Sequence, residues 1–164
     1  MPIYMKIEPE IKGEVTAEGF KDQIALHSFQ FGAGIAVSSA QGNAGKRSAT
    51  DASFSEITVT SSLDNATGPM LDQLAAGKAA DKITISFTKA SSKNAAGNDK
   101  YLIITIENVF ISGVSMSSGG DEPSVSISLN YAKIKAEYHM SDVSGNLTKG
   151  LGFGWDLTTQ KSYA

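Results

Sequence analysis

The chain has no cysteine among its 164 residues. That absence removes disulfide scaffolds, thiol nucleophiles and thiolate metal sites together, and leaves a stability independent of redox compartment. Histidine is nearly as scarce. His27 and His139 each stand alone, without a second histidine or a carboxylate at ligand spacing, so a surface or strand-packing role is expected of both. No cofactor, metal or catalytic residue is implied. Positive charge is also short: 14 Lys and Arg against 17 Asp and Glu give a net charge of −3, and no basic face is present to attract phosphate backbones or anionic lipid. Nucleic acid is therefore not an expected partner. No apolar run is long enough to span a bilayer. The opening Met1-Pro2-Ile3-Tyr4-Met5-Lys6-Ile7-Glu8 lacks the basic, apolar and small-residue succession of a cleaved signal. Cytoplasmic synthesis without membrane insertion is the expectation.

What is present points to β structure. Ile3/Met5/Ile7, Ile57/Val59, Ile83/Ile85/Phe87 and Val125/Ile127/Leu129/Tyr131 each place apolar side chains on one face at period two. Two runs change phase. Ile24 and Leu26 are followed by Phe29 and Phe31, and Val125 to Tyr131 by Ala132, Ile134, Ala136 and Tyr138; each change marks a β-bulge or a strand that leaves one sheet for another. Tyr101 to Ile106 is apolar on both faces, as a central strand should be, and Gly113 marks a kink farther on. One helix is expected, with Thr67 as its cap, Pro69 in its first turn and Gly77 ending it. At 164 residues and 41% apolar composition, residues 1–164 fit one domain: mainly β, curved, with one helix. Gly32–Ser53, Ala90–Asp99, Ser115–Pro123 and Ser141–Gly150 read as loops. The first is too long for a simple connection in so small a domain.

The motifs that could carry chemistry are each incomplete. Gly42-Asn43-Ala44-Gly45-Lys46-Arg47-Ser48 has glycines and a lysine in the manner of a phosphate loop. Yet Ala40 stands where the first glycine belongs and Arg47 where the magnesium-binding hydroxyl belongs. Gly32-Ala33-Gly34 lacks the third glycine of a dinucleotide fingerprint. Asp121 and Glu122, between Gly120 and Pro123, are turn residues, not opposed carboxylates. Leu151, Phe153, Trp155 and Leu157 share one side of an extended segment and, lacking basic neighbours, are expected to pack against the core or a neighbouring subunit. The strands' polar faces carry Thr58/Thr60, Thr84/Ser86/Thr88 and Ser126/Ser128/Asn130. Threonine suits strands in any case, but short hydroxyls also leave a smooth wall for assembly or for a channel.

Several segments, taken in order, are similar to the Hcp-like (haemolysin-coregulated protein) tube proteins of type VI secretion. Tyr4-Met5-Lys6-Ile7 with Ile11-Lys12-Gly13-Glu14 resembles that family's first strand and turn, and Leu63-Asp64-Asn65-Ala66-Thr67-Gly68-Pro69-Met70-Leu71 resembles its turn into a lone helix. Lys100 to Ser115, Val125 to Tyr138 and Gly154-Trp155-Asp156-Leu157 complete the likeness. The resemblance implies a small β-barrel of two curved sheets with one α-helix and a long extended loop. It implies a structural protein and not an enzyme: homohexameric rings that stack into the type VI inner tube, with effector proteins carried in the lumen and sheath and tip proteins as further partners. It also implies secretion without a cleaved signal. The extended loop would reach the next subunit or ring, which makes Gly32, Gly34, Gly42, Gly45, Lys46 and Arg47 candidate contacts. A monomeric β-sandwich that binds a ligand is the alternative.

Overall fold

The computed structural model describes residues 1–39, 47–90 and 98–163. In chain order the elements are β1 (Ile3–Glu8), β2 (Ile24–Leu26), β3 (Ser28–Gln30), β4 (Ala33–Gly34), β5 (Val37–Ser39), β6 (Arg47–Ala49), β7 (Ser53–Phe54) and β8 (Ile57–Ser62). After α1 (Thr67–Ala75) come β9 (Ala79–Ala90), β10 (Asn98–Ser117), β11 (Ser124–Asn130), β12 (Lys133–Ser141), β13 (Leu147–Asp156) and β14 (Lys161–Ser162). The chain is mainly β with one helix, as the alternation of its apolar residues requires.

Ten strands form one branched antiparallel sheet with the 20-residue β10 as its spine. β9 lies along one edge of β10, and β12 and β11 follow each other along the opposite edge. At Asn108, whose φ is 50°, the spine changes face: Ile104 and Ile106 are buried before it, Val109 and Ile111 after it. The partner changes face at the same rung, since Glu107 pairs with Lys133 and Phe110 with Asn130. The phase change at Tyr131 is therefore no bulge. Both strands roll over together, and the Ala132 amide keeps its bond to the Glu107 carbonyl at 3.1 Å. A true register shift follows between Ile111 and Gly113, where the sequence places a kink.

The other phase change is a change of partner. β2 pairs with β1, β3 pairs with β8, and only His27 lies between them. One expectation is corrected here. The ten strands fold over a shared core without closing into a barrel, because among the described residues no ladder joins β2 to β3's partner; the His27 amide bonds to Thr60 O at 2.7 Å. Inside the fold, Met5, Ile7, Ile24, Ile57, Ile83, Ile85, Ile106, Ile127 and Leu129 are fully buried, and Met70 brings α1 onto the same core.

The helix departs from its expected cap. Ala66 holds the N-cap position and Thr67 is the first, buried helical residue. The Asp64 carboxylate instead accepts the Ala66 amide at 2.8 Å. Gly77 ends the helix at φ 64° as expected. Two expected loops are shorter than the sequence implied, because β10 runs to Ser117 and β13 begins at Leu147. The expected loop Gly32–Ser53 contains short strands among its described residues. They form a two-stranded arm, β4 with β7 and β5 with β6, built from short side chains whose backbone groups pair with each other.

Candidate assembly surface

The described residues of the arm are little buried. Ile35 and Val37 are 53% and 51% exposed, and every described residue from Gly32 to Ser38 and from Arg47 to Ser53 is exposed. Its rungs are held by the Thr50 amide on Ala36 O at 2.9 Å and by the Ser38 and Ser48 hydroxyls at 2.7 Å from each other. Between the Gly34–Ser53 rung and the Ala36–Thr50 bond, one extra residue enters the returning strand. An insertion of this kind bends a ribbon and turns its later side chains over.

Of the six candidate contacts, Gly32 and Gly34 lie near the arm's base and Arg47 opens its returning strand. Gly42, Gly45 and Lys46 fall outside the described residues. At Gly34 a Cβ would meet nothing within 4 Å, and at Gly32 only the Ser55 hydroxyl at 3.6 Å. The subunit's own packing therefore does not demand glycine at either position.

A second surface lies on the outer face of the sheet made by the far half of β10, β11, β8 and β3. Ser115, Ser126, Thr60 and Ser28 form one row across the strands, and Gly113, Ser128, Thr58 and Gln30 the next. The Ser28 and Thr60 hydroxyls are 2.6 Å apart. No lysine or arginine stands in either row. The expected polar face of β9 differs, because Ser86 and Thr88 are buried and the Thr88 hydroxyl donates to Pro2 O at 2.9 Å.

Aromatic side chains that the sequence reading did not connect meet at the arm's root. Phe54 lies 6.4 Å from Phe31, 6.1 Å from Phe153 and 6.2 Å from Trp155, each pair nearly parallel. Tyr131 donates its hydroxyl to Ser55 O at 2.8 Å, and burial pushes its pKa up to about 12. The missed signal was Phe54, an aromatic that closes an otherwise Ala/Ser-rich stretch. Past the root, the end of the β12–β13 hairpin leaves Tyr138, Met140 and Leu151 exposed at 47%, 50% and 91%.

The chemistry on offer is thin. His27 Nε2 is 2.8 Å from the Ser62 hydroxyl, at the mouth of a groove of about 410 Å³ that also holds Tyr4, Glu14, Asp64 and Glu122. Burial, with the Glu14 charge adding to it, raises the Asp64 carboxyl above its usual range against the opposing Ala66 and Thr67 amides. This is a serine beside a base, but among the described residues no carboxylate is bonded to the imidazole to orient it, as nucleophilic catalysis requires. His139 is half-buried, away from His27. Among the described residues no three His, Asp or Glu side chains gather as a metal site.

Comparison with known proteins decides the family. The model of the family described as "Type VI secretion system effector, Hcp" matches residues 4–138, most of the chain. The chain belongs to the Hcp family. Protein hcp1 of Pseudomonas aeruginosa is 27% identical over 105 residues, which span 62% of this chain and 63% of that Hcp protein; the match thus covers a little under two thirds of the relative's length. Among solved structures, one titled as a type six secretion system protein superposes with a TM-score of 0.87 at 24% identity, covering 99% of both chains. Hcp1 from Salmonella typhimurium gives 0.75 at 22% identity over 99% of this chain and 98% of that one. Both likenesses extend the Hcp fold over nearly the whole chain.

Proposed function

We propose that the chain is a structural subunit of the type VI inner tube, acting by assembly and not by catalysis. Copies join head to tail into closed hexameric rings, rings stack into a tube, and the tube carries effector proteins inside it. A head-to-tail interface either closes into a ring or runs on as a fibre, and a stacked tube uses both outcomes. Sheath and tip proteins of the secretion machine are the outer partners in this reading, and the subunit leaves the cell with the tube.

The observation that supports this most is the arm, read together with Hcp membership: a subunit with a fully buried core extends a bent ribbon whose Ile35 and Val37 are left half exposed by the subunit itself. Gly32, Gly34 and Arg47 are proposed contacts with the next copy, and the hydroxyl rows around Ser126 and Thr60 are proposed to face the lumen, where short uncharged side chains let cargo pass without strong binding. Negative-stain microscopy and native mass measurement of the purified chain test the reading. Six-fold rings are expected; a stable monomer at high concentration under all conditions overturns it.

The groove at His27 and Ser62 favours one second reading, a monomeric module that binds a small ligand. Ligand-dependent thermal stabilisation without rings would support that alternative.

A further inference from the structure

The arm leaves the body through a root where two kinds of contact converge. Tyr131 is buried at the corner between β11 and β12 and donates to the Ser55 carbonyl at 2.8 Å. Ser55 in turn ties the two arm strands together: its amide donates to Gly32 O at 2.8 Å, and its hydroxyl accepts the Gly32 amide at 2.9 Å. One residue farther out, Phe54 stacks on Phe153 and Trp155 of β13 with interplanar angles of 25°. Beyond Phe54 every described arm residue is exposed. Farther out, Ile35, Thr50, Asp51 and Ala52 only border a groove with Trp155, Leu157 and Gln160, so the root is where the body's directional hydrogen bond and ring stacking on the arm converge.

A two-stranded ribbon has little stability of its own. Held at a hinge, it would sweep through many directions, and the freedom lost on contact would weaken association. The two root contacts restrict different motions. A hydroxyl bonded to a backbone carbonyl is directional and fixes the chain's path, while a flat ring stacked against two others opposes twisting.

We propose that Tyr131 and Phe54 are positioning residues that fix the arm's angle before assembly, and that this angle decides whether the arm of one copy engages a second copy. The inference rests on the tube reading above. It adds that the arm is pre-aimed by the body and not shaped by its partner. Neither residue needs to touch the neighbouring subunit.

The test uses the whole chain and exploits its lack of cysteine. Ser38→Cys on the arm and Asp72→Cys on α1 supply two unique spin-label sites, and distances are measured with labelled chains diluted in unlabelled ones. The unsubstituted root should give one narrow distance distribution. Phe54→Ala and Tyr131→Phe should broaden it, and Phe54→Tyr, which keeps a stacked ring, should restore it. The concentration at which rings and tubes form should rise about tenfold in the two disruptive variants and return with Phe54→Tyr. A merely structural role is separated by trimethylamine N-oxide, which strengthens folding generally: the assembly defect should persist when the osmolyte has restored the melting temperature.

Unchanged distances in Phe54→Ala and Tyr131→Phe overturn the inference, as does an assembly defect that the osmolyte repairs. If the unsubstituted chain forms no rings at all, the tube reading fails instead. The link from arm angle to assembly then falls with it, while the distance measurement still reports on the clamp.

Discussion

The body and the arm obey opposite rules. In the body, β1, β8, β9, β10 and β11 place isoleucine, valine and leucine at zero or near-zero exposure, so each side chain is held by several neighbours. In the arm, Ile35 and Val37 are half exposed and the strands are tied mainly by backbone bonds and serine or threonine hydroxyls. Apolar residues serve stability in the first region and remain available for contact in the second. The same substitution should therefore read out as unfolding in one place and as lost assembly in the other.

Truncation of an apolar side chain should separate the two regions by the widest margin. Ile106→Ala should destabilise the subunit by roughly 2–5 kcal/mol, the cost of removing buried methyl groups and leaving a cavity, measured by urea unfolding. Val37→Ala should change unfolding by less than about 0.5 kcal/mol and yet raise the concentration at which rings stack. Equal stability losses at the two positions would mean that the arm packs on its own body.

Glycines extend the contrast at a smaller scale. A Cβ at Gly13 would lie 2.3 Å from the Gln23 carbonyl oxygen and 2.8 Å from its carbon, so the turn between Lys12 and Glu14 admits no side chain. Gly13→Ala should cost about 1–3 kcal/mol through forced backbone shifts. Gly34 has open space and no left-handed φ, so Gly34→Ala should stabilise the isolated subunit by roughly 0.4–1 kcal/mol by restricting the unfolded chain. A loss of assembly in that same variant would place a neighbour against Gly34.

Much of the body could be read from the sequence because its instructions are local. Alternation in Ile3/Met5/Ile7 and Val125/Ile127/Leu129 specifies a strand and its buried face wherever the partner lies. The break at Ile24–Leu26 and Phe29–Phe31 was legible as a bulge or a change of sheet, and geometry chose the second through His27. The roll at Tyr131 was legible only as a phase change, because the compensating roll at Asn108 belongs to a strand more than twenty residues away. The barrel was implied by the resemblance and not by the residues, whose phase changes asked only for a curved sheet, and curvature follows from twist and partner switching without a closing ladder. The arm was taken for a loop because serine, alanine and glycine carry no periodicity, and its pairing is written in backbone bonds that composition does not show. The aromatic root was missed for a related reason. Phe54 and Trp155 stand a hundred residues apart, and only folding reveals that they share a stack.

Titration gives a gentler probe of the root. Tyr131 has its pKa raised by burial to about 12 from an ordinary 10.0, so its neutral form is favoured in the folded state. That contribution is complete below pH 10 and is lost as pH rises through 10 toward 12. By pH 11 the loss should be on the order of 1 kcal/mol after allowance for solvent screening. Tyr131→Phe should be somewhat less stable at pH 8, having lost the bond to Ser55 O, but should show a flatter decline between pH 10 and 12. An identical decline in the variant would move the alkaline transition to other groups.

The smallest effect belongs to the outer face of the β12–β13 hairpin. Lys135 bonds to the Glu137 carboxylate at 2.8 Å and Lys149 approaches it at 3.5 Å; Lys135, and then Lys149, hold that carboxyl below its usual range despite opposing desolvation. A depressed carboxylate pKa stabilises the fold above the ordinary carboxylate range, and the contribution fades as pH falls through the folded value. Because these side chains are solvated, salt should screen the attraction. Glu137→Gln should therefore move the thermal midpoint slightly at pH 7 and low ionic strength, and by nothing measurable in molar salt. The comparison predicts that this substitution leaves assembly intact, since it alters neither the buried body nor the arm. A Glu137→Gln variant that keeps its melting temperature in high salt but no longer forms rings would add a third region, the hairpin's charged face, to those that one copy presents to another.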